Sequence, residues 1–286
     1  MGHDVVFDLA HTKIAGLQWS SSSSSSLNVI SLHGWLDNAA SFQCLAPYLS
    51  RYSHCSLDFS GHGLSDHRPA GSFYHLWDYV LDTVSVLNLS EQSSWLVGHS
   101  MGAAVAMMVA AVAPEKVRGL IILDNVGPLI GEPTERVVTL KKSIQKMAKQ
   151  RLGRCTRYHD QEAMVSARMK GFTSLSREAA LPLVSRGSRR FDDDWVWRHD
   201  SKLNLPSPFR MDEACVEAFI AQVRCPTLAL IAEEGIFQNN VSLVERRAAL
   251  FSDLTLKWLE GNHHFHLEPE TASLVALEVQ RFIDLN

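Results

Sequence analysis

Six short apolar segments alternate with segments of helical spacing, and this alternation is the feature that most restricts the fold. The apolar segments are Leu27–Leu32, His54–Asp58, Ser94–Val97, Val117–Leu123, Thr227–Ile231 and Thr255–Leu259. Helical spacing is found in Phe73–Leu89 and Met101–Ala113. Strands that are apolar nearly throughout and are separated by helices are typical of a parallel sheet buried on both faces. The sequence therefore predicts an α/β fold in which the carboxyl ends of the strands share one edge.

The segment from Pro128 to Pro208 interrupts this alternation. It is rich in Arg, Lys, Gln and Met, contains no convincing buried strand, and includes an amphipathic pattern at Lys141–Lys149. We interpret it as a mainly helical insertion between the fourth and fifth predicted strands. The core would then consist of residues 1–127 and 209–286, and residues 128–208 would form an inserted cap. A solvated bundle of surface helices without a functional role is the alternative.

An uninterrupted run of serines occupies Ser20–Ser26. Serine side chains cannot bury apolar area, so the run predicts a flexible surface loop between two strands. A functional tether is the less favoured interpretation.

Charge and composition limit the kinds of molecule that the chain is expected to bind. The 286 residues carry 27 Lys and Arg against 31 Asp and Glu, a formal net charge of −4, so no broad attraction to nucleic acid or to an anionic membrane is expected.

The start of the chain, Met1–Ala10, has no signal-peptide pattern, and the longest apolar stretch, Ala103–Pro114, is too short to span a bilayer. The 5 cysteines are scattered and include no C-x-x-C pair. We therefore expect reduced thiols, a cytoplasmic location and a small-molecule partner, with the oligomeric state left open.

The pentapeptide Gly98-His-Ser-Met-Gly102 matches G-x-S-x-G. It comes directly after one predicted strand and directly before one predicted helix, which is the context that this motif requires. A strand that turns sharply into a helix needs glycine at Gly98 and Gly102, and it exposes Ser100 beside the helix N-terminus. Unpaired N–H groups and positive potential at that terminus favour a developing oxyanion.

A serine hydroxyl needs a general base at neutral pH. The loop Glu260-Gly-Asn-His-His-Phe-His-Leu-Glu268 follows the last predicted strand and should lie at the same edge as Ser100. Of its three histidines, His263 comes first after the turn and is the predicted base. His264 and His266 are alternatives, and they are also candidate metal ligands, although the cluster offers no carboxylate or thiolate at a zinc-site spacing. We expect no metal and no cofactor.

A carboxylate should orient the imidazole, and here several candidates remain. Asp124 ends the fourth predicted strand, whereas Glu233 and Glu234 follow the fifth. Both strand ends lie at the predicted catalytic edge. Any of these carboxylates could equally cap a helix or be solvated.

Two N–H donors should bind the oxyanion. Met101 follows Ser100 and can provide one of them. The loop His33-Gly-Trp-Leu-Asp37 follows the first core strand, and the backbone N–H of Trp35 is the predicted second donor. His33 fits a loop-anchoring role better than that of a base. The segment Asp58–Asp66 is interpreted as a structural loop that borders the site.

These motifs together resemble the α/β-hydrolase superfamily. The matching residues are His33-Gly34, Asp58–Ser65, Gly98–Gly102 and the Gly-Asn-His263 loop, in the expected order over nearly the whole chain. At a finer level, His33–Ala39, Ser185–Gly187 and His199-Asp200 are similar to the serine hydrolase-like proteins. The resemblance implies an eight-stranded, mostly parallel sheet flanked by helices, with a helical cap over the nucleophile.

The chain departs from this family at the acid. Members often carry an Asp after the fifth predicted strand, and Gly235 stands at that place here. Other members place the acid after the preceding strand, where Asp124 stands. Asp124 is therefore the predicted acid and Glu234 the alternative.

The resulting hypothesis is a serine hydrolase that cleaves a carboxylic ester or thioester through an acyl-enzyme. An acyltransferase would use the same residues, and only the acceptor would differ. A dehalogenase is disfavoured, because Ser100 stands where a carboxylate nucleophile would be required. A non-catalytic binding module on a hydrolase scaffold is the alternative from another class, and the missing Asp at Gly235 is the feature that favours it.

Overall fold

Eight strands form a single sheet in the computed structural model, which describes residues 2–19, 28–149 and 155–286. The strands are β1 His3–Asp8, β2 Lys13–Trp19, β3 Val29–Leu32, β4 His54–Leu57, β5 Ser94–His99, β6 Val117–Leu123, β9 Thr227–Glu234 and β10 Leu254–Asn262. They follow the order β1-β2-β4-β3-β5-β6-β9-β10. Strand β2 pairs antiparallel with both β1 and β4, and every other pairing is parallel. The expected eight-stranded, mostly parallel α/β sheet is confirmed.

Helices cover both faces of this sheet. The α-helices of the described residues are α1 Leu76–Leu87, α2 Met101–Val112, α3 Arg136–Lys149, α4 Gln161–Met169, α5 Arg177–Gly187, α6 Glu213–Ile220, α7 Val241–Ala248 and α8 Ala272–Leu285. One face packs against α1, α2, α6 and α7, and the other packs against α8 and two short 3-10 turns in residues 39–49. Strands β3, β4 and β5 are buried along their whole length, which is why they appear in the sequence as uninterrupted apolar runs.

The segment between β6 and α6 contains α3, α4 and α5, as its composition predicts, but it also contains a hairpin. Strands β7 Ser188–Phe191 and β8 Asp194–Trp197 pair antiparallel as a separate two-stranded sheet. The sequence analysis found no buried strand in this segment, and the two strands of the hairpin are for the most part exposed or half-buried. Because Arg189 and Arg190 point to solvent, the hairpin lacks the apolar run by which the core strands were found. Residues of α4 and α5 form a small core of their own with Leu267.

The serine run, Ser20–Ser26, lies outside the described residues. No helix in the described part of the chain has both the length and the apolar character that are needed to cross a bilayer.

Candidate active site

Ser100 stands between β5 and α2 in a strained backbone conformation, with φ 51° and ψ −117°. The glycines on either side are required by contact distances. A Cβ at Gly102 would lie 2.0 Å from the carbonyl oxygen of Leu32, and one at Gly98 would lie 2.5 Å from the Cα of Ala103. The sharp turn predicted from G-x-S-x-G is therefore present, and it needs glycine at both positions.

The backbone of Ser100 is held on both sides. Its N–H donates to the carbonyl of Leu123 at 3.0 Å, and its own carbonyl accepts from Asn125 Nδ2 at 2.7 Å. Ser100 itself is half-buried and is the N-cap of α2. The N–H of Met101 lies in the first turn of that helix, where no carbonyl four residues earlier belongs to the helix.

The imidazole of His263 is bonded to Asp124. The distance from His263 Nδ1 to Asp124 Oδ2 is 2.5 Å. Because an ionised carboxylate can only accept hydrogen bonds, Nδ1 carries the proton, and Nε2 of the neutral ring is left with its lone pair. Asp124 has no exposed surface and His263 is 7% exposed. The structure thus joins the predicted base to the first-choice acid.

Asp124 is fixed by the end of β9 and by the loop that follows it. Its two carboxylate oxygens accept from the backbone N–H groups of Ala232 and Ile236, each at 3.1 Å. A Cβ at Gly235 would lie 2.4 Å from both of these oxygens. The carboxylate therefore fills the space beside Gly235, the position at which the resemblance would put an Asp. Glu234, the alternative acid, is exposed to solvent.

His99 connects the base to the nucleophile's strand. Its Nε2 is 2.8 Å from the carbonyl oxygen of His263, and the two ring centroids are 4.6 Å apart. Since His99 immediately precedes Ser100, this contact brings the loop after β10 to the carboxyl end of β5. Burial lowers the pKa of His99 well below its ordinary value, and its histidine neighbours add to this effect. His99 therefore supports the site as a neutral ring.

The loop after β3 also reaches the nucleophile. A Cβ at Gly34 would lie 3.3 Å from the Cβ of Ser100. His33 anchors this loop, because its Nδ1 lies 2.7 Å from the Gly34 carbonyl and its Nε2 accepts from the N–H of Phe59 at 3.1 Å. The indole Nε1 of Trp35 donates to the carbonyl of Leu203 at 3.2 Å. The predicted oxyanion loop thus lies beside Ser100, and His33 has the anchoring role expected of it.

Sequence reasoning missed a buried ion-paired bridge next to these residues. Arg168 Nη2 of α4 lies 2.7 Å from Asp37 Oδ1 and 3.2 Å from His264 Nε2. The same His264 nitrogen lies 3.0 Å from Asp37 Oδ2. Burial opposes ionisation of Asp37, but Arg168 and His264 hold its pKa well below the ordinary value. The bridge joins α4 to the loops that carry Trp35 and His263.

One group in the described chain has the side chains of a metal site. Ligand atoms of Asp37, His99 and His264 lie within 4.8 Å of one another, and all three residues are buried. The guanidinium of Arg168 already bonds two of the three, and its positive charge lies where a cation would be held. Of the other loop histidines, His266 lies 3.1 Å from the hydroxyl of Ser41.

A second bridge fixes the loop after β4. Arg186 of α5 bonds both oxygens of Asp58, with Nε at 3.1 and 3.0 Å. Asp58 also accepts from the backbone N–H groups of Ala39 and Leu64. These bonds give the Asp58 loop the structural role expected from its sequence. Arg186 lies in Ser185–Gly187, one of the segments that resemble the serine hydrolase-like proteins.

Aromatic residues between β6 and α6 divide into two groups. Trp195 and Trp197 pack against the small core of α4 and α5, whereas Phe172 is 92% exposed. Elsewhere, a surface cavity of about 730 Å³ lies beside α5, with Leu17, Gln43 and Arg186 among its lining residues. Ser100, His263 and Asp124 do not line this cavity.

Comparison with known proteins identifies the family of the chain. Residues 28–270 match the family model described as the alpha/beta hydrolase fold. The chain belongs to the α/β-hydrolase family. It is 32% identical to a serine hydrolase-like protein of Danio rerio over 262 residues, which is 86% of this chain and 79% of that protein.

Two solved structures are also similar to this chain. A hypothetical protein from Pseudomonas aeruginosa PAO1 superposes with a TM-score of 0.91 at 35% identity, covering 98% of this chain and 99% of that one. The thioesterase domain from the curacin biosynthetic pathway gives a TM-score of 0.84 at 21% identity, covering 98% and 99% of the two chains. The second likeness concerns the fold alone.

Proposed function

We propose that this α/β-hydrolase cleaves a carboxylic ester or thioester with Ser100 as nucleophile, His263 as general base and Asp124 as the orienting acid. The observation that carries the proposal is the 2.5 Å contact between His263 and Asp124, at the same sheet edge as the strained turn that holds Ser100. A hydroxyl at such a turn, an imidazole with a free Nε2 and a buried carboxylate are the parts that acyl transfer requires.

The reaction would run in two halves. Ser100 Oγ attacks the acyl carbonyl while His263 Nε2 takes the hydroxyl proton, and the backbone N–H groups of Met101 and Trp35 bind the oxyanion. The tetrahedral intermediate then collapses, and His263 returns the proton to the departing alcohol or thiol. Water attacks the acyl-enzyme in the same way, releases the acid and restores Ser100. This sequence needs no cofactor and no metal ion.

Residues 128–208 are proposed to form the cap over this site. Support comes from bonds to loops at the carboxyl edge. Asn38 Nδ2 donates to the carbonyl of Leu183 at 2.9 Å, and the N–H of Ser176 donates to Glu268 Oε1 at 2.9 Å. The two arginine bridges, from Arg168 and Arg186, end on loops of the same edge. Residues 1–127 and 209–286 would then form the core, and we place the protein in the cytosol.

Labelling with a fluorophosphonate, read by intact mass, tests the nucleophile. The wild-type protein should gain one phosphonyl group, and Ser100→Ala should gain none. Ser185→Ala is a matched control on α5 and should label as the wild type does. A folded wild-type protein that does not react would instead favour the non-catalytic binding module.

A panel of p-nitrophenyl esters and acyl thioesters of increasing chain length would then define the substrate class. Product analysis with and without an added alcohol separates hydrolysis from acyl transfer, because an acyltransferase would yield the new ester. Hydrolysis of no ester and no thioester by a protein that reacts with the fluorophosphonate would overturn the proposed bond specificity.

A further inference from the structure

Helix α3 has an apolar face that is turned to solvent. Val137 is 80% exposed, Leu140 45% and Ile144 53%. Their i, i+3, i+7 spacing puts the three side chains on one side of the helix. The inner side is marked by Ser143, which is buried and donates to the carbonyl of Pro206 at 3.0 Å. Exposed apolar surface of this kind on a folded protein usually marks an interaction site.

The same helix is strongly basic. Between Arg136 and Lys149 there are four lysines and one arginine, and no Asp or Glu. Lys142, Lys146 and Lys149 follow i, i+4, i+7 spacing and lie on a different side from the apolar residues. Acidic residues adjoin the start of the helix: Glu132 and Glu135 lie in the turn before it, and Asp212 pairs with Arg136 at 2.5 Å. Charge is therefore unevenly distributed: the chain has a net charge of −4, but α3 is a positively charged segment.

Two exposed aromatic side chains adjoin the start of α3. The Arg136 guanidinium lies 5.1 Å from the centre of the Phe209 ring, and the rings of Phe209 and Trp77 are 6.0 Å apart. Phe209 is 41% exposed and Trp77 43%. Aromatic rings that are half in and half out of water are favoured at the level of lipid headgroups.

We infer that α3 lies on an anionic lipid bilayer, with Val137, Leu140 and Ile144 inserted at the headgroup boundary and the lysines beside the phosphates. An apolar side, a lysine-rich side and flanking aromatic residues are the features of helices that lie in the membrane interface. Each Lys or Arg near such a surface adds about 1 kcal/mol of attraction. The binding is peripheral, and it is consistent with the absence of a spanning helix in the described residues.

A second copy of the chain fits this face less well. A symmetric contact through α3 would bring the same lysine-rich helix of both copies together, because a twofold interface uses one patch twice. The resulting repulsion between like charges opposes such a dimer. An anionic bilayer instead buries the apolar residues and attracts the lysines at the same time.

Vesicle sedimentation with the full chain tests the inference. Wild-type protein should pellet with vesicles that contain about a third phosphatidylserine in phosphatidylcholine, and this binding should weaken as salt rises. Vesicles of phosphatidylcholine alone should bind it far less. A folded protein that fails to bind the anionic vesicles, or binds both kinds equally, would overturn the inference.

Variants separate the lipid from the alternatives. Val137→Glu/Ile144→Glu should lower the partition coefficient about tenfold or more, since it removes apolar insertion and adds repulsion. Leu274→Glu/Leu277→Glu changes the charge equally on α8, where both side chains are 44% exposed, and should bind as the wild type does. If light scattering shows a wild-type dimer that the α3 variant dissolves, the face is covered by a second copy and the inference fails. Because the readout is partition, failure of the proposed reaction would leave this result standing.

Discussion

Gly235 and the carboxylate of Asp124 share one small space: a Cβ at residue 235 would lie 2.4 Å from each carboxylate oxygen. Gly235 directly follows β9, and Asp124 directly follows β6, the strand next to it. Because Gly235 has no side chain, the Asp124 carboxylate has room to reach His263.

Gly235→Ala should consequently impair turnover through Asp124. The methyl group displaces the carboxylate, and a misplacement of about 1 Å at a catalytic group can cost about 10²-fold in rate. Steady-state kinetics on the best ester of the panel measure the effect. Gln238→Ala is the control, because Gln238 is exposed in the same loop, and its kcat should stay near that of the wild type. Wild-type turnover in folded Gly235→Ala would contradict this account.

The identity of the acid is tested by a pair of isosteric changes. Asp124→Asn should lower kcat by about 10⁴-fold, because the amide no longer holds the His263 tautomer with Nε2 free. Glu234→Gln should change kcat little, since Glu234 is exposed. The reverse ranking of the two variants would give the role of acid to Glu234.

Moving the acid offers a gain-of-function test. Asp124 has a positive φ of 46°, which glycine adopts readily. Asp124→Gly/Gly235→Asp should therefore recover about tenfold or more of the activity lost in Asp124→Gly alone, because the two residues are coupled through one site. Equal activity in the single and the double variant would show that a carboxylate at 235 cannot replace Asp124.

The bridge of Arg168, Asp37 and His264 predicts that the stability lost on replacing Arg168 depends on pH. Arg168→Met should lower the free energy of unfolding by about 3–5 kcal/mol near pH 8, since it leaves a buried carboxylate without its main partner. Burial lowers the pKa of His264, Asp37 opposes this, and Arg168 lowers it further. Removing Arg168 raises that pKa, so protonated His264 can pair with Asp37 as the pH falls.

The loss in Arg168→Met should accordingly be smaller near about pH 5.5 than near about pH 8, as urea unfolding at the two pH values would reveal. Arg177→Met serves as control, because its pair with Glu162 is exposed and should contribute little to stability at either pH. A loss that is equal at both pH values would rule out the compensating proton.

Buried histidines predict a loss of stability in acid. Burial lowers the pKa of His54 to about 3. The unfolded chain takes up a proton near the ordinary value of about 6.5, so stability is fully present above that pH and is lost as the pH falls from 6.5 towards 3. His54→Phe should reduce the slope of unfolding free energy against pH by about 1.4 kcal/mol per unit in this window. An unchanged slope would contradict the prediction.

Much of the core could be predicted because its signals are local. Apolar runs marked β3 to β6, and the pentapeptide around Ser100 fixed the turn between β5 and α2. Strand ends alone left Asp124, Glu233 and Glu234 as candidate acids, and the family resemblance made Asp124 the predicted one. The catalytic roles themselves stay predictions until the labelling and kinetic experiments are done.

The rest depends on contacts between residues far apart in the chain. Arg168 and Asp37 are 131 positions apart, and neither belongs to a motif that pairs them. Their contact joins α4 to the loop after β3, and nothing in the local sequence of either residue indicates it. The hairpin of β7 and β8 was not predicted for a different reason: half-exposed strands have little apolar periodicity in their sequence.

The end of β9 and the loop after it give Asp124 two backbone N–H groups and a space without a side chain, and none of their side chains takes part in the contact. Exposed neighbours such as Glu233, Glu234 and Gln238 are thus free to be exchanged for other side chains. Diversity introduced there by random mutagenesis would reshape the rim of the edge that carries Ser100 while the carboxylate keeps its place.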